Sequence, residues 1–229
     1  DINLEVHKGE ILGLYGLVGA GRTEFVRGLF GADPKDSGEV EVLGKRVTIK
    51  TPGQAIRAGI GLVTENRREE GLLLENSLKW NLSMTNFKAI MDGLHNLSMR
   101  KEKEYATKGM QIFRVKATGY DMNAGGLSGG NQQKVVLAKW LMTEPKILIL
   151  DEPTRGIDVG AKYEIYTIMM DLAAKGFSII MISSELPEIM GMSDRVLVMH
   201  EGAVSGTVLH EDMTQERIMR LATGGNEDE

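Results

Sequence analysis

The sequence predicts an α/β fold: a mostly parallel sheet covered by helices, with a small antiparallel β part and an inserted helical subdomain. Three observations carry this expectation. Apolar runs of strand length, such as Ile147-Leu148-Ile149-Leu150 and Phe177-Ser178-Ile179-Ile180-Met181-Ile182, alternate with segments of helical spacing. A Gly-rich loop at 16–21 separates a strand pattern from a helix pattern. Residues 76–116 interrupt the rhythm with a Met-rich stretch of helical periodicity. At 229 residues, the chain is long enough to bury a sizeable core.

Ile2, Leu4 and Val6 alternate with polar residues and predict a half-buried opening strand. A turn at Lys8-Gly9-Glu10 leads into a second strand, 11–15, which runs into the loop 16–21. Phe25, Val26 and Leu29 place a helix over 22–30. Gly38 and Gly44 punctuate short alternating runs within 36–50, predicting a small antiparallel excursion. Gly61-Leu62-Val63-Thr64 reads as a core strand ending at the charged run 65–70. Within 76–116, Tyr105, Ile112 and Phe113 fall on one helix face, and Glu104 stands four before Lys108. There follow a helix over about 131–142, a strand at 147–150, a helix at 161–174, and strands at 177–182 and 195–199. A short strand pair around Val204 and Val208 and a helix near 214–222 close the fold. The tail 224–229 is expected to be disordered. One domain over 1–229 is expected, with an α/β core at 1–65 and 144–229 and a helical subdomain at 66–143.

Composition excludes several classes. A net charge of −5 and a pI near 5.5 argue against a nucleic-acid binder, which carries a basic face. The absence of Cys removes disulfides, thiolate-bound zinc and thiol catalysis. No apolar run approaches the ~18 residues of a membrane span. Asp1-Ile2-Asn3-Leu4-Glu5 lacks the basic start and apolar core of a signal peptide. His7, His95, His200 and His210 show no metal-ligand spacing. A soluble protein of a reducing compartment is expected.

Three motifs carry chemistry. Gly16-Leu17-Val18-Gly19-Ala20-Gly21-Arg22-Thr23 fits the phosphate-loop pattern, except that Arg22 stands where Lys is expected. Its glycines let N–H groups turn inward on phosphate oxygens, and the helix after it presents its positive end. Thr23 offers a hydroxyl to Mg²⁺. The dinucleotide pattern fails at Glu24, where Gly is required, and alone the loop is ambiguous with a tight turn. The strand 147–150 ends in Asp151 and Glu152. Asp151 is placed to hold Mg²⁺, and Glu152 to activate water; taken alone, a solvated acidic turn is the commoner meaning. The third motif decides: Leu127-Ser128-Gly129-Gly130-Asn131-Gln132-Gln133-Lys134 opens a helix with a hydroxyl and two Gly N–H groups, a second phosphate device that core packing does not require.

This set, with Asp151-Glu152-Pro153-Thr154 and Gly156-Ile157-Asp158, resembles an ATP-binding cassette ATPase, a phosphate-loop NTPase of RecA-like fold, along the whole chain. The stretches 127–134 and 151–162 resemble bacterial monosaccharide importers, in which one polypeptide carries two fused cassettes. Arg22 and Ser183-Ser184-Glu185 resemble the second, C-terminal cassette. Val63-Thr64-Glu65 and Arg114-Val115-Lys116 lean toward the galactose/methylgalactoside branch, with ribose next.

The resemblance implies that two cassettes sandwich two ATP molecules. Gly16, Leu17, Val18, Gly19, Ala20, Gly21, Arg22 and Thr23 would bind ATP. Thr23, Asp151 and Glu65 would surround Mg²⁺, and Glu152 and Ser184 would be catalytic. Leu127, Ser128, Gly129, Gly130, Asn131 and Gln132 would close over the partner's ATP, with Asp158 in the loop between cassettes. The implied partners are the N-terminal cassette of the same polypeptide, transmembrane permease subunits that meet 72–125, and, indirectly, a periplasmic sugar-binding protein. The implied location is the cytoplasmic face of the inner membrane. Arg22 for Lys, Glu65 for Gln and Ser184 for His depart from the family pattern and imply a degenerate site. The aromatic residue that stacks on adenine would lie upstream of Asp1. A catalytically silent regulatory module and a soluble cassette ATPase without a transport role are the alternatives. A DNA-acting cassette is disfavoured, because the 104 positions from Thr23 to Leu127 hold no sustained heptads and no basic block.

Overall fold

The computed structural model describes residues 2–225. In chain order it contains β1 (Ile11–Gly16), α1 (Arg22–Phe30), β2 (Val40–Val42), β3 (Lys45–Val47), α2 (Pro52–Ala58), β4 (Ile60–Val63), α3 (Leu78–Ser83), α4 (Phe87–Ile90) and α5 (Met99–Ile112). There follow α6 (Gly129–Leu141), β5 (Ile147–Asp151), α7 (Val159–Ala174), β6 (Ser178–Ile182), α8 (Leu186–Met192), β7 (Arg195–His200), β8 (Ala203–Leu209) and α9 (Gln215–Ala222). These elements divide into two compact units. The second comprises Val63–Pro145 and Thr154–Ile168; the first holds the remaining described residues.

In the first unit a six-stranded sheet has the order β4-β5-β6-β1-β7-β8. β1 pairs in parallel with β6 and β7, β5 pairs in parallel with β6, and only β8 is shown antiparallel, on β7. β1 and β6 are buried along their whole length and β5 along all but its first residue. Strands covered on both faces have no polar alternation to show, hence their continuous apolar sequence. The register pairs Ile11 and Leu148 with Ile179, and Leu14 and Asp151 with Ile182. The loops after β1, β5 and β6 therefore leave the sheet side by side at its carboxyl edge, where open α/β sheets bind ligands. A separate ribbon, β2 on β3, is the antiparallel part foreseen within 36–50.

Several expectations fail in detail. Residues 2–6 form no strand; β6 and β7 occupy both edges of β1, so no neighbour is open there, and Arg195 instead donates to the Glu5 carbonyl. Val204 and Val208 belong to one strand rather than a pair. Its turn from β7 uses Glu201 and Gly202, both at positive φ, as a two-residue hairpin loop requires. α2 and α8 were not foreseen; each is short and has a proline in its first two positions, which fits only a helix start. Gly224 and Gly225 bond back to Leu221 and Arg220, while 226–229 lie outside the described residues.

In the second unit α3, α5 and α6 pack together, and Leu82, Ala106 and Val135, one on each, are fully buried. Phe113 faces inward at 5% exposure, but Ile112 is 56% exposed, so the face drawn through both is wrong by one residue. Glu104 pairs with Arg100, one turn before it, at 3.3 Å.

Lys139 on α6 is only 4% exposed and donates to the Gly71 carbonyl. Burial lowers its pKa from 10.5 to about 8. Between those values the unfolded chain holds a proton that the folded chain has released, so stability rises with pH there; below about 8 the full cost of the buried charge remains. Relative to Lys139→Met, the wild type should gain about 3 kcal/mol across that window. Denaturant titrations at a series of pH values give the difference, and a flat one would refute the buried ammonium.

Candidate functional site

The loop after β1 is shaped by its glycines. A Cβ at Gly16 would stand 2.5 Å from the Met199 carbonyl oxygen and 2.8 Å from Ala20 Cβ. Gly19 and Gly21 have φ of 86° and 88°, the left-handed region that L side chains rarely adopt. Gly21 caps α1 with no side-chain acceptor, which leaves the helix's positive end facing the loop. Ala20 N–H donates to the Leu17 carbonyl at 3.0 Å, and Leu17, Val18 and Gly19 are exposed at the rim.

Thr23 Oγ1 donates to Asp151 Oδ2 at 2.9 Å. Asp151 is 2% exposed, and its Oδ1 is buried with no hydrogen-bond partner among the described residues. Burial pushes its pKa up to about 6, opposed by the Thr23 bond. A hard divalent cation takes one or two protein oxygens together with phosphate oxygens. The Thr23 hydroxyl and an unpartnered carboxylate oxygen beside a phosphate loop fit that requirement.

Glu152 adopts φ 48°, strained for a residue with a side chain. Its Oε1 accepts from the Ser184 N–H at 2.7 Å, and burial raises its pKa against that bond. Arg22 Nη1 donates to the Ser183 carbonyl at 3.0 Å. The turn receiving both is itself fixed, because Ser183 Oγ donates to Glu188 at 2.8 Å and accepts from Glu185 N–H at 3.0 Å. Ser183, singled out in sequence only as part of the stretch 183–185, and Glu188, which no motif marked, thus hold the turn that engages both Arg22 and Glu152.

The second unit carries the other foreseen residues. Leu127 is buried and Ser128 caps α6. Asn131 Nδ2 donates to Ser128 Oγ at 3.0 Å while its Oδ1 accepts from Lys116 N–H at 2.8 Å. Gln132 Nε2 donates to the Ala124 carbonyl at 3.3 Å. Gly130 has no room for a side chain: a Cβ would lie 2.5 Å from Ala161 Cβ. Asp158 Oδ1 accepts from Ala161 N–H at 3.0 Å at the start of α7. The Glu65 carboxylate forms an ion pair with the Arg155 side chain. The structure therefore brings the phosphate loop, Asp151, Glu152 and Ser184 together in the first unit. It gathers Glu65, Leu127–Gln132 and Asp158 in the second.

A phosphate loop closed on a Thr-Asp pair is shared by many nucleotide-binding folds; the whole-chain comparisons narrow it. A family model described as "ABC transporter" matches residues 1–155. The chain belongs to the ABC transporter family. It is 51% identical over 226 residues to the ribose import ATP-binding protein RbsA of Bacillus subtilis (strain 168), covering 98% of this chain and 45% of the relative. To the RbsA of Lactococcus lactis subsp. lactis (strain IL1403) it is 52% identical over 228 residues, covering 98% and 46%. The chain thus spans about half the length of these relatives. Its fold matches a solved nucleotide-free ATP-binding cassette from an ABC transporter, with a TM-score of 0.80 at 24% identity over 96% of this chain and 90% of the other. Among the described residues of this ABC family member, no helix is long and apolar enough to cross a membrane.

Proposed function

We propose that this chain is the second, C-terminal cassette of a two-cassette monosaccharide importer, and that it binds ATP at a degenerate site. It would complete the first cassette's site with Leu127–Gln132. The observation that carries the asymmetry is the double engagement of one turn: Arg22 is spent on the Ser183 carbonyl and Glu152 on the Ser184 N–H. The segment 127–134, by contrast, departs from the family pattern nowhere.

When bound, Mg²⁺ would neutralise charge on the β- and γ-phosphates, held by Thr23 and Asp151. The loop N–H groups and the start of α1 would bind those phosphates. Arg22 is a planar fork in place of a compact ammonium, so it reaches phosphate oxygens in a different geometry from Lys. Glu152 has the raised basicity of a general base, but at position 184 a Ser hydroxyl stands where an imidazole would steady the water. The names of the relatives favour ribose over galactose as the sugar. Their description as import proteins supports permease subunits as partners and a peripheral place at the cytoplasmic face of the inner membrane, with the periplasmic sugar-binding protein engaged indirectly and no nucleic acid.

The test restores the family pattern. In the two-cassette protein, Arg22→Lys with Ser184→His should raise hydrolysis at this site at least ~10-fold, and adding Glu152→Gln should return it to the starting level. Site-resolved turnover unchanged by the double restoration would sink the degenerate-site reading.

A further inference from the structure

Within the second unit, three segments far apart in sequence meet at one guanidinium. Arg67 lies in a π-helical turn, Arg67–Gly71. Its Nη1 donates to the Arg155 carbonyl at 2.6 Å and its Nη2 to the Gly156 carbonyl at 3.0 Å. Glu65, two residues earlier, is ion-paired with the Arg155 side chain. The 155–156 segment is therefore held at its carbonyls and at the Arg155 side chain by two side chains of the same short stretch. The loop 127–130 closes on the same point: a Cβ at Gly129 would stand 2.8 Å from Arg67 Nη2 and 3.2 Å from the Gly156 carbonyl oxygen. The turn bearing Arg67 is in turn anchored to α6. Lys139 Nζ donates to the Gly71 carbonyl, and a Cβ at Gly71 would lie 3.2 Å from Val136 Cγ2.

A rigid fork that meets two successive carbonyls fixes their orientation, which a single ammonium cannot do. We propose that Arg67 is a positioning residue: with the Glu65–Arg155 pair, it locks the 154–158 segment to Ser128–Gly130 so that the two move as one edge. The functional part of this rests on the cassette reading, in which that edge faces the first cassette's ATP. Arg67 would act through the 154–158 segment. Its loss should impair closure and turnover while leaving this chain's nucleotide affinity alone.

The experiment uses the full two-cassette protein and compares the parent with Arg67→Ala, Arg67→Lys and Glu65→Gln. Amide hydrogen exchange over 154–160 should be about tenfold faster in Arg67→Ala, and intermediate in Arg67→Lys and Glu65→Gln. MgATP Kd should stay within about twofold while kcat falls about tenfold at unchanged KM. Glu65→Gln keeps the side chain's volume and the Arg67 fork, so it reads the same lock if Arg67→Ala fails to fold. Parent-like exchange in the variants would overturn the lock, as would a fall in MgATP affinity parallel to that in kcat. A parent that neither binds nor turns over MgATP, with exchange still altered in the variants, would refute the cassette reading and leave the lock standing.

Discussion

Asp151→Asn should make the nucleotide-free chain more stable at neutral pH while abolishing useful Mg²⁺ dependence of ATP binding. The two effects have one cause. Asp151 is 2% exposed, and burial carries its pKa from 3.8 to about 6. Because the folded-state value is raised, the folded chain holds a proton that the unfolded chain has lost between those values. Stability from this group is fully present below 3.8 and is lost as pH rises through about 6. Above that range the buried carboxylate costs up to about 3 kcal/mol, which an amide removes while still accepting from Thr23 Oγ1. The same substitution withdraws the unpartnered oxygen offered to the metal, so the Mg²⁺-dependent gain in ATP affinity should fall about 100-fold. Thermal melts and nucleotide titrations with and without Mg²⁺ decide it. A variant that is less stable at neutral pH would refute the cost of the buried carboxylate, and one that keeps full Mg²⁺ dependence would remove Asp151 from the metal role.

Gly130→Val should cut turnover of the two-cassette protein about 100-fold, although residue 130 lies outside the unit that carries this chain's phosphate loop. The Cβ position at 130 already lies 2.5 Å from Ala161 Cβ, so a branched side chain must push the first turn of α6 away from the first turn of α7. Ser128 and Gly129 move with it, and a misplacement near 1 Å suffices for a loss of that size. The chain itself should lose about 1–3 kcal/mol, enough to measure and too little to unfold it. Gly191→Ala is the control, at a helical glycine with open space around its Cβ position. Retained turnover in Gly130→Val would mean that this loop does not contact the reacting nucleotide.

What the sequence made legible follows from what each element needs. β1, β5 and β6 are buried on both faces, so their apolar runs announce themselves; the motif glycines were readable because Gly16, Gly19 and Gly21 meet steric and φ demands that other residues fail. Alternation at Ile2, Leu4 and Val6 correctly marks an amphipathic segment but cannot say whether a sheet edge is open to receive it. Here none beside β1 is. The short helices α2 and α8 carry too few turns to show periodicity, and their prolines read as breaks. The Glu65–Arg155 pair and the Arg67 fork join residues about ninety positions apart; a charged run in sequence does not name its partners. Glu188 and the bonding role of Ser183 went unread for the same reason, since a buried serine hydroxyl has no local signature of its partner.

The strand order has a consequence for how the protein is made. β1 is the first of this sheet's strands to leave the ribosome, yet its neighbours β6 and β7 begin at Ser178 and Arg195. At roughly 5–20 residues per second, β1 waits on the order of ten seconds or more as an unpaired apolar segment. The stretch Val63–Pro145 emerges during that interval and carries α3, α5 and α6, which pack on one another and are all made before β6 appears. The nucleotide loop is thus translated early and framed late: α3, α5 and α6 are made before the strands that complete the phosphate pocket.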